Sequence, residues 1–213
     1  MNILRKSSSV GITGKSGTGK TSYAERYIVG AHYSRVFIYD HQDAEFSKRL
    51  NLIPCFDLDE MFDRARTERI LAFDYAAAYP GQLEECFDLF CDLVFDFSGQ
   101  NLNPVGYESL FVVDELQFCT GPMTMPPAFQ KIVQTGRRNG VDLLWLSQQP
   151  NEIHNRVRNQ CTEYVTFQMI DDRALDWAEK LGVSPEAIRE LPELHYLWRN
   201  TRTGEERTGE ITF

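Results

Sequence analysis

The most informative stretch of this 213-residue sequence is Gly14-Lys15-Ser16-Gly17-Thr18-Gly19-Lys20-Thr21. It fits the pattern Gly-x4-Gly-Lys-Ser/Thr, and it follows an apolar run at 10–13 that is typical of a short buried strand. Glycines let the backbone wrap, so its N–H groups and the N-terminus of a following helix can point at an anion. A flexible Gly/Ser/Thr loop could match by chance, but its place between a strand and a helix disfavours that interpretation. The motif predicts a phosphate-binding loop.

Specific roles follow for two residues at the end of this loop. Lys20 is expected to reach the β- and γ-phosphates of a nucleoside triphosphate, and the Thr21 hydroxyl to bind Mg²⁺. We therefore predict ATP and Mg²⁺ as the cofactors. The predicted nucleotide contacts are Gly14, Lys15, Ser16, Gly17, Thr18, Gly19, Lys20, Thr21 and Ser22.

Short β-rich runs alternate with helical patterns along most of the chain. The predicted strands lie at 10–13, 35–40, 70–74, 110–114, 142–147 and 163–169. Most of these runs are continuously apolar, as strands buried on both faces of a parallel sheet are. The pattern predicts an α/β fold with a mainly parallel sheet flanked by helices.

Apolar residues recur at helical spacing between these strands. The three sets are Leu58, Met61, Phe62 and Ala65; Leu83, Cys86, Phe87 and Phe90; and Phe129, Ile132 and Val133. Further helices are predicted at 171–181 and 184–191, and residues 195–213 are predicted to form a hairpin. Segments 97–107 and 120–127 are rich in Gly, Asn and Pro and are predicted to be loops.

Two carboxylates follow the apolar run Leu110-Phe111-Val112-Val113. Asp114 is expected to face the metal, and Glu115 to orient or deprotonate an attacking water. The alternative is that both acids cap the following segment. Asp74, after the apolar run 70–73, is the nearest rival for the metal ligand.

A third polar site follows the apolar run 143–146, at Ser147-Gln148-Gln149. Ligands of open α/β sheets bind at the carboxyl ends of the strands, so Gln148 is expected near Asp114 and the phosphate loop. There its amide could sense the γ-phosphate. The alternative is a turn residue close to Pro150.

Two basic clusters lie between and beyond these motifs. Arg137 and Arg138 could be favourable charges at a helix end, or one could act as an arginine finger on the ATP of a neighbouring subunit. Arg156 and Arg158 could belong to a solvated face, contact DNA phosphates or supply a second finger.

Composition limits the classes of function that fit. The formal net charge is −9, with 42% hydrophobic and 25% charged residues, which fits a soluble globular protein and disfavours one that coats nucleic acid with its whole surface. We expect a single domain over 1–213, without a signal peptide or membrane span, in the cytosol. The five cysteines form no metal or disulfide pattern, so we expect buried free thiols.

The ordered motifs Gly-x4-Gly-Lys-Thr, Asp114-Glu115, Gly-Arg-Arg-Asn-Gly at 136–140 and Ser-Gln-Gln-Pro at 147–150 resemble the FtsK/HerA superfamily of DNA-translocating ATPases. The short chain is most similar to the genome-packaging ATPases of membrane-containing, double-jelly-roll viruses such as tectiviruses. This resemblance covers residue 10 to about residue 167.

The resemblance implies a RecA-like P-loop fold of the additional-strand, catalytic-glutamate class. It makes Lys20 and Thr21 nucleotide ligands, Asp114 a Mg²⁺ ligand, Glu115 the catalytic base and Gln148 the sensor, with a trans-acting arginine near Arg137 or Arg138. It also implies a homo-oligomeric ring, commonly a hexamer, that threads double-stranded DNA. Capsid-vertex or membrane proteins would be partners, in the host cytoplasm and at the packaging vertex of the virion.

Three alternatives remain open at this point. A motor for conjugation or filamentous-phage export belongs to the same superfamily, but such chains usually add a membrane span. A small-molecule P-loop kinase would need an arginine-rich lid. A nucleotide-gated assembly protein would bind ATP without turnover.

Overall fold

A single sheet of eight strands organises the computed structural model, which describes residues 8–41, 44–79, 82–98 and 108–212. The strands are β1 (Ser9–Thr13), β2 (Arg35–Asp40), β3 (Ile70–Asp74), β4 (Ser109–Val113), β5 (Val141–Ser147), β6 (Glu163–Phe167), β7 (His195–Asn200) and β8 (Glu206–Glu210). All six predicted strands are present, and their bounds differ from the prediction by at most two residues.

The strand order is β3-β2-β4-β5-β1-β6-β7-β8. Strands β1 to β6 pair in parallel, while β7 and β8 pair antiparallel as the predicted hairpin. Strand β5 lies between β1, which precedes the phosphate loop, and β4, which precedes the acidic pair. This inserted strand is the arrangement expected of the additional-strand class. It brings the carboxyl ends of β4, β5 and β1 side by side.

Helices cover both faces of the sheet. In the described residues they are α1 (Lys20–Gly30), α2 (Glu45–Arg49), α3 (Leu58–Arg64), α4 (Tyr75–Ala78), α5 (Leu83–Ser98), α6 (Pro127–Thr135), α7 (Asn155–Gln160), α8 (Asp172–Lys180) and α9 (Pro185–Arg189). Alternate residues of each strand point to opposite faces, so Phe37 and Tyr39 enter one apolar core while Val36 and Ile38 enter the other. Both cores are closed to water, as a parallel sheet requires.

Three predicted bounds were wrong at their ends. Strand β4 stops before Asp114, because the next residue, Glu115, has a left-handed backbone with φ 48° that cannot continue a strand. Strand β6 stops before Gln168, whose carbonyl oxygen accepts a hydrogen bond from the phosphate loop instead of continuing the ladder. Residues 97–98, predicted as loop, complete α5, and 99–107 lie outside the described residues.

The C-terminal hairpin packs against the first helix. Tyr196 of β7 makes an edge-to-face contact with Tyr23 of α1 at 5.0 Å between ring centroids, and Tyr23 also contacts Phe167. Leu194 and Ile211 approach the start of α1 at Gly19. The end of the chain therefore closes one side of the phosphate loop.

The five cysteines are all buried free thiols, as predicted. Among the described residues, no helix is both long and apolar enough to cross a bilayer.

Candidate nucleotide-binding site

The phosphate loop is anchored to the strands on either side of β1. The Gly14 amide donates to the Ser147 carbonyl oxygen at 3.3 Å, and the Lys15 amide donates to the Gln168 carbonyl oxygen at 2.9 Å. Gly14 has φ +152°, and a Cβ at this position would lie 2.6 Å from Cβ of Phe167. Only glycine fits both the backbone and this close approach. The loop is therefore preformed by its neighbours.

The helix that follows the loop begins without a side-chain cap. Gly19 stands at the N-cap with φ 108°, no side chain accepts a hydrogen bond from the first turn, and that turn contains no acidic residue. By contrast, Asp57, Asp171 and Ser184 cap α3, α8 and α9 through their side chains. Uncapped N–H groups and the positive end of the helix dipole favour an anion here.

Lys20 is buried at the base of this loop. Only 7% of the residue is exposed, and its Nζ donates to the Lys15 carbonyl oxygen at 3.1 Å. Burial lowers the pKa of Lys20, and the nearby carboxylates of Glu115, Asp114 and Glu45 partly oppose that shift. A phosphate group would give this buried ammonium a strong anionic partner.

The predicted motifs meet in one cleft of about 330 Å³. Its walls are Ser16, Gly17, Gly19, Lys20, Thr21, Ser22, Glu45, Arg49, Asp114, Glu115, Gln148 and Leu194. Three further predicted contacts, Gly14, Lys15 and Thr18, shape the loop without lining the cleft. The Thr18 hydroxyl, for example, donates to the Lys15 carbonyl oxygen at 2.8 Å.

Asp114 lies at the end of β4 and is 5% exposed. The pKa of Asp114 is raised to about 8, chiefly by burial and also by the negative charges of Glu115, Asp40 and Glu45, while Lys20 opposes the shift. A divalent cation would favour the ionised form of this carboxyl. Its oxygens, with the Thr21 hydroxyl on the same cleft wall, are the hard donors that Mg²⁺ prefers, so the residues present fit that ion.

Glu115 is held on both sides by amide groups. Gln148 Nε2 donates to Oε1 of Glu115 at 2.6 Å, and Gln117 Nε2 donates to Oε2 at 2.6 Å. Because Glu115 is 7% exposed and adopts the left-handed region, both its backbone and its carboxylate are fixed. The site therefore holds the Glu115 carboxylate in one position on the wall of the cleft that also contains the phosphate loop.

The arginine pair lies away from this cleft. Arg137 and Arg138 are exposed on a short 3-10 turn, 136–139, that precedes β5 and so lies at the amino edge of the sheet. Within the described part of the chain, neither side chain has an ion pair or hydrogen bond. Arg137 shares a second cavity, of about 230 Å³, with Arg202 of the C-terminal hairpin.

Arg156 and Arg158 do not line the cleft either. They lie on α7, where Arg156 is exposed and Arg158 is half-buried, with a hydrogen bond from its Nη2 to Asn155. The Arg158 carbonyl oxygen accepts the Tyr164 hydroxyl at 2.6 Å. Arg158 thus has a structural role through its side chain and its backbone.

Four residues of the site were missed by sequence reasoning. Glu45 and Arg49 come from the five-residue helix α2, Leu194 from the segment before β7, and Gln117 from the turn 116–118 after Glu115. Arg49 bonds Glu45 through Nε at 2.8 Å and the Ser22 hydroxyl through Nη1 at 3.3 Å. Only Gln117, two residues beyond the acidic pair, had a sequence signal that could have found it.

The chain is similar in sequence to one phage protein. No family model matches the chain. Protein P9 of Pseudoalteromonas phage PM2 is 25% identical over 222 residues, covering 95% of this chain and 89% of the relative.

Solved structures with the same fold include a viral NTPase and the bacterial protein VirB4. The genome-packaging NTPase B204 of Sulfolobus turreted icosahedral virus 2, in complex with ATP-γ-S, has a TM-score of 0.77 and 17% identity, with full coverage of both chains. VirB4 of Thermoanaerobacter pseudethanolicus has a TM-score of 0.66 and 12% identity over 99% of this chain and 91% of that one. The resemblance predicted from the motifs is confirmed: the chain has the P-loop fold of a viral genome-packaging NTPase and of VirB4, and is similar over nearly its whole length to a phage protein.

Proposed function

We propose that this chain is an ATP-hydrolysing motor that moves double-stranded DNA and packages a viral genome into a procapsid. One observation carries the ATPase part: an uncapped helix start, a buried lysine, the Asp114 carboxylate and an amide-held Glu115 converge on a single cleft. The likeness to a genome-packaging NTPase and to a phage protein supports the packaging part.

The residues of the cleft divide the work of hydrolysis. The loop N–H groups and Lys20 bind and orient the phosphates, and Thr21 and Asp114 would hold Mg²⁺. When bound, Mg²⁺ supplies positive charge to the β- and γ-phosphate oxygens. Glu115 accepts a proton from the attacking water, and Gln148 ties the position of that carboxylate to the end of β5.

A neighbouring subunit would complete the site with an arginine. Arg137 and Arg138 lie at the amino edge of the sheet, opposite their own cleft, so they can reach only the nucleotide of another copy. We assign the finger to Arg137, because it lines a cavity with a second guanidinium, that of Arg202. A ring, by analogy a hexamer, provides the required neighbour.

The remaining parts of the proposal concern partners and location. Double-stranded DNA would be gripped locally inside the ring, which agrees with a net charge of −9. Proteins of the capsid vertex or viral membrane would recruit the ring, in the host cytoplasm and then on the virion. The proposed unit is one ATPase domain spanning 1–213.

The first test is steady-state phosphate release with Mg²⁺ and ATP, with and without double-stranded DNA. Glu115→Gln should lower turnover by about 10³-fold, the usual range for a general base, while ATP binding is retained. Lys20→Ala should lose binding as well as turnover and serves as the control for the phosphate loop.

Four outcomes would contradict the proposal. Wild-type turnover that does not change when DNA is added would contradict a DNA-translocating motor. Normal turnover in Glu115→Gln would contradict the role of Glu115 as general base. Phosphate transfer to a nucleoside or sugar would favour the small-molecule kinase. ATP binding without turnover would favour the nucleotide-gated assembly protein.

A further inference from the structure

Both oxygens of the Glu115 carboxylate accept a hydrogen bond, and the two donors come from opposite sides. Gln148 follows β5 and lines the cleft, so its bond to Oε1 comes from the phosphate side. Gln117 lies on the 3-10 turn beyond Glu115 and does not line the cleft, so its bond to Oε2 comes from outside. The two bonds are equally short, at 2.6 Å.

The chemistry of the two groups fixes the direction of both bonds. An ionised carboxylate only accepts, so each glutamine must present its NH₂ group to Glu115. The other end of the Gln117 amide, Oε1, is buried and has no hydrogen-bond partner among the described residues. Gln117 therefore holds Glu115 through its NH₂ group alone, while its own carbonyl oxygen has no protein partner among the described residues.

We propose that Gln117 is a positioning residue that restrains Glu115 in a resting state by competing with the attacking water for Oε2. This inference rests on the proposed function, in which Glu115 is the general base. An oxygen that already accepts a short amide bond is less available to a water proton. Loss of the Gln117 bond leaves Glu115 tied only to Gln148, on the phosphate side.

The turn that carries Gln117 reaches the surface through the next residue. Phe118 is 51% exposed, and its ring stacks on His41, which follows β2, at 4.5 Å between centroids. His41 in turn is hydrogen-bonded to the Tyr75 hydroxyl. A ligand that displaces the Phe118 ring from His41 would move the 116–118 turn and draw Gln117 from Glu115. Within the proposed function, that ligand is DNA.

The decisive variant is Gln117→Met, which keeps the length of the side chain and removes the amide. We expect kcat without DNA to rise about tenfold, the rate equivalent of losing about 1.4 kcal/mol of restraint, with KM for ATP unchanged. DNA should then stimulate this variant less than it stimulates the wild type. A merely structural role would change melting temperature or KM and would not raise kcat.

A matched control is Gln82→Met, because it makes the same chemical change at an exposed residue just before α5 that lines neither the nucleotide cleft nor the cavity of Arg137. This control should keep wild-type kcat and wild-type DNA stimulation. Phe118→Ala should resemble Gln117→Met if the exposed ring sets the position of the turn.

The possible results separate the two levels of the proposal. If DNA stimulates the wild type and Gln117→Met has an unchanged or lower kcat, the restraint is overturned while the motor stands. If kcat of Gln117→Met rises but DNA stimulates no variant, the restraint is supported and DNA is removed as the releasing ligand. If neither the wild type nor Gln117→Met hydrolyses ATP, both the restraint by Gln117 and the motor function are overturned.

Discussion

Buried carboxyl groups at the two edges of the sheet have opposite surroundings. At the amino edge, Asp142 of β5 accepts hydrogen bonds from the Ser8 amide at 3.0 Å and from the Tyr33 hydroxyl at 2.8 Å. At the carboxyl edge, burial raises the pKa of Asp114 to about 8 and that of Asp40 to about 7. One oxygen of Asp40 has no hydrogen-bond partner in the described residues.

Asp142 therefore stabilises the fold, whereas Asp114 and Asp40 have surroundings that favour binding of a cation. Asp142 has neutral donors of its own chain, so it needs nothing further. The carboxylates of Glu115, Asp40 and Glu45 lie close enough to Asp114 to raise its pKa, and a cation would relieve that repulsion. Strongly shifted pKa values of buried groups that meet in a cleft are typical of functional sites.

The largest expected effect concerns the arginines of the amino edge. Arg137→Ala should reduce DNA-stimulated turnover by about 10³-fold, at the lower end of what a trans-acting arginine contributes. Arg138→Ala, which removes an equally exposed neighbour outside the cavity, is the matched control and should keep most of the activity.

Mixed rings can show whether Arg137 acts in trans. Neither Arg137→Ala nor Lys20→Ala should hydrolyse ATP well alone. A mixture should regain turnover, because the first chain supplies an intact phosphate loop and the second supplies the arginine. A mixture as inactive as its components would contradict a finger that acts between subunits.

The second effect is on stability and should leave chemistry untouched. Asp142→Ala leaves the buried Tyr33 hydroxyl without this acceptor, so the free energy of unfolding should fall by about 3 kcal/mol. Urea unfolding measures this, and turnover per folded molecule should match the wild type. A loss of turnover without a loss of stability would contradict a purely structural role for Asp142.

The third and smallest effect is a pH dependence at the carboxyl edge. The pKa of Asp40 is about 7 in the folded protein against an ordinary 3.8, so the folded chain binds the extra proton between these pH values. Its contribution to the free energy of unfolding therefore falls as pH rises from about 4 to 7. Asp40→Asn should be more stable than the wild type by about 2 kcal/mol at pH 8.

At pH 5 the Asp40→Asn variant and the wild type should unfold at similar urea concentrations, because the wild-type carboxyl is then protonated. An equal gain at both pH values would show that the charge of Asp40 is not the cause.

Local patterns in the sequence determined much of the fold and the centre of the site. Six apolar runs predicted the parallel strands, and the Gly-x4-Gly-Lys-Thr, Asp114-Glu115 and Gln148 signals each followed one of them. These could be recognised because a buried strand, a glycine-dependent turn and a strand-end carboxylate are all specified by neighbouring residues. Strand-end geometry then predicted that the three would meet.

Only the tertiary structure decided what surrounds that centre. Glu45, Arg49 and Leu194 line the cleft because α2 and the segment before β7 fold back over it, and no spacing in the sequence reports such distant contacts. The assignment of Gln117 and Gln148 to opposite oxygens of Glu115 likewise depends on the left-handed turn at Glu115. Sequence specifies elements through local energetics, whereas the neighbours of a side chain depend on how the elements pack.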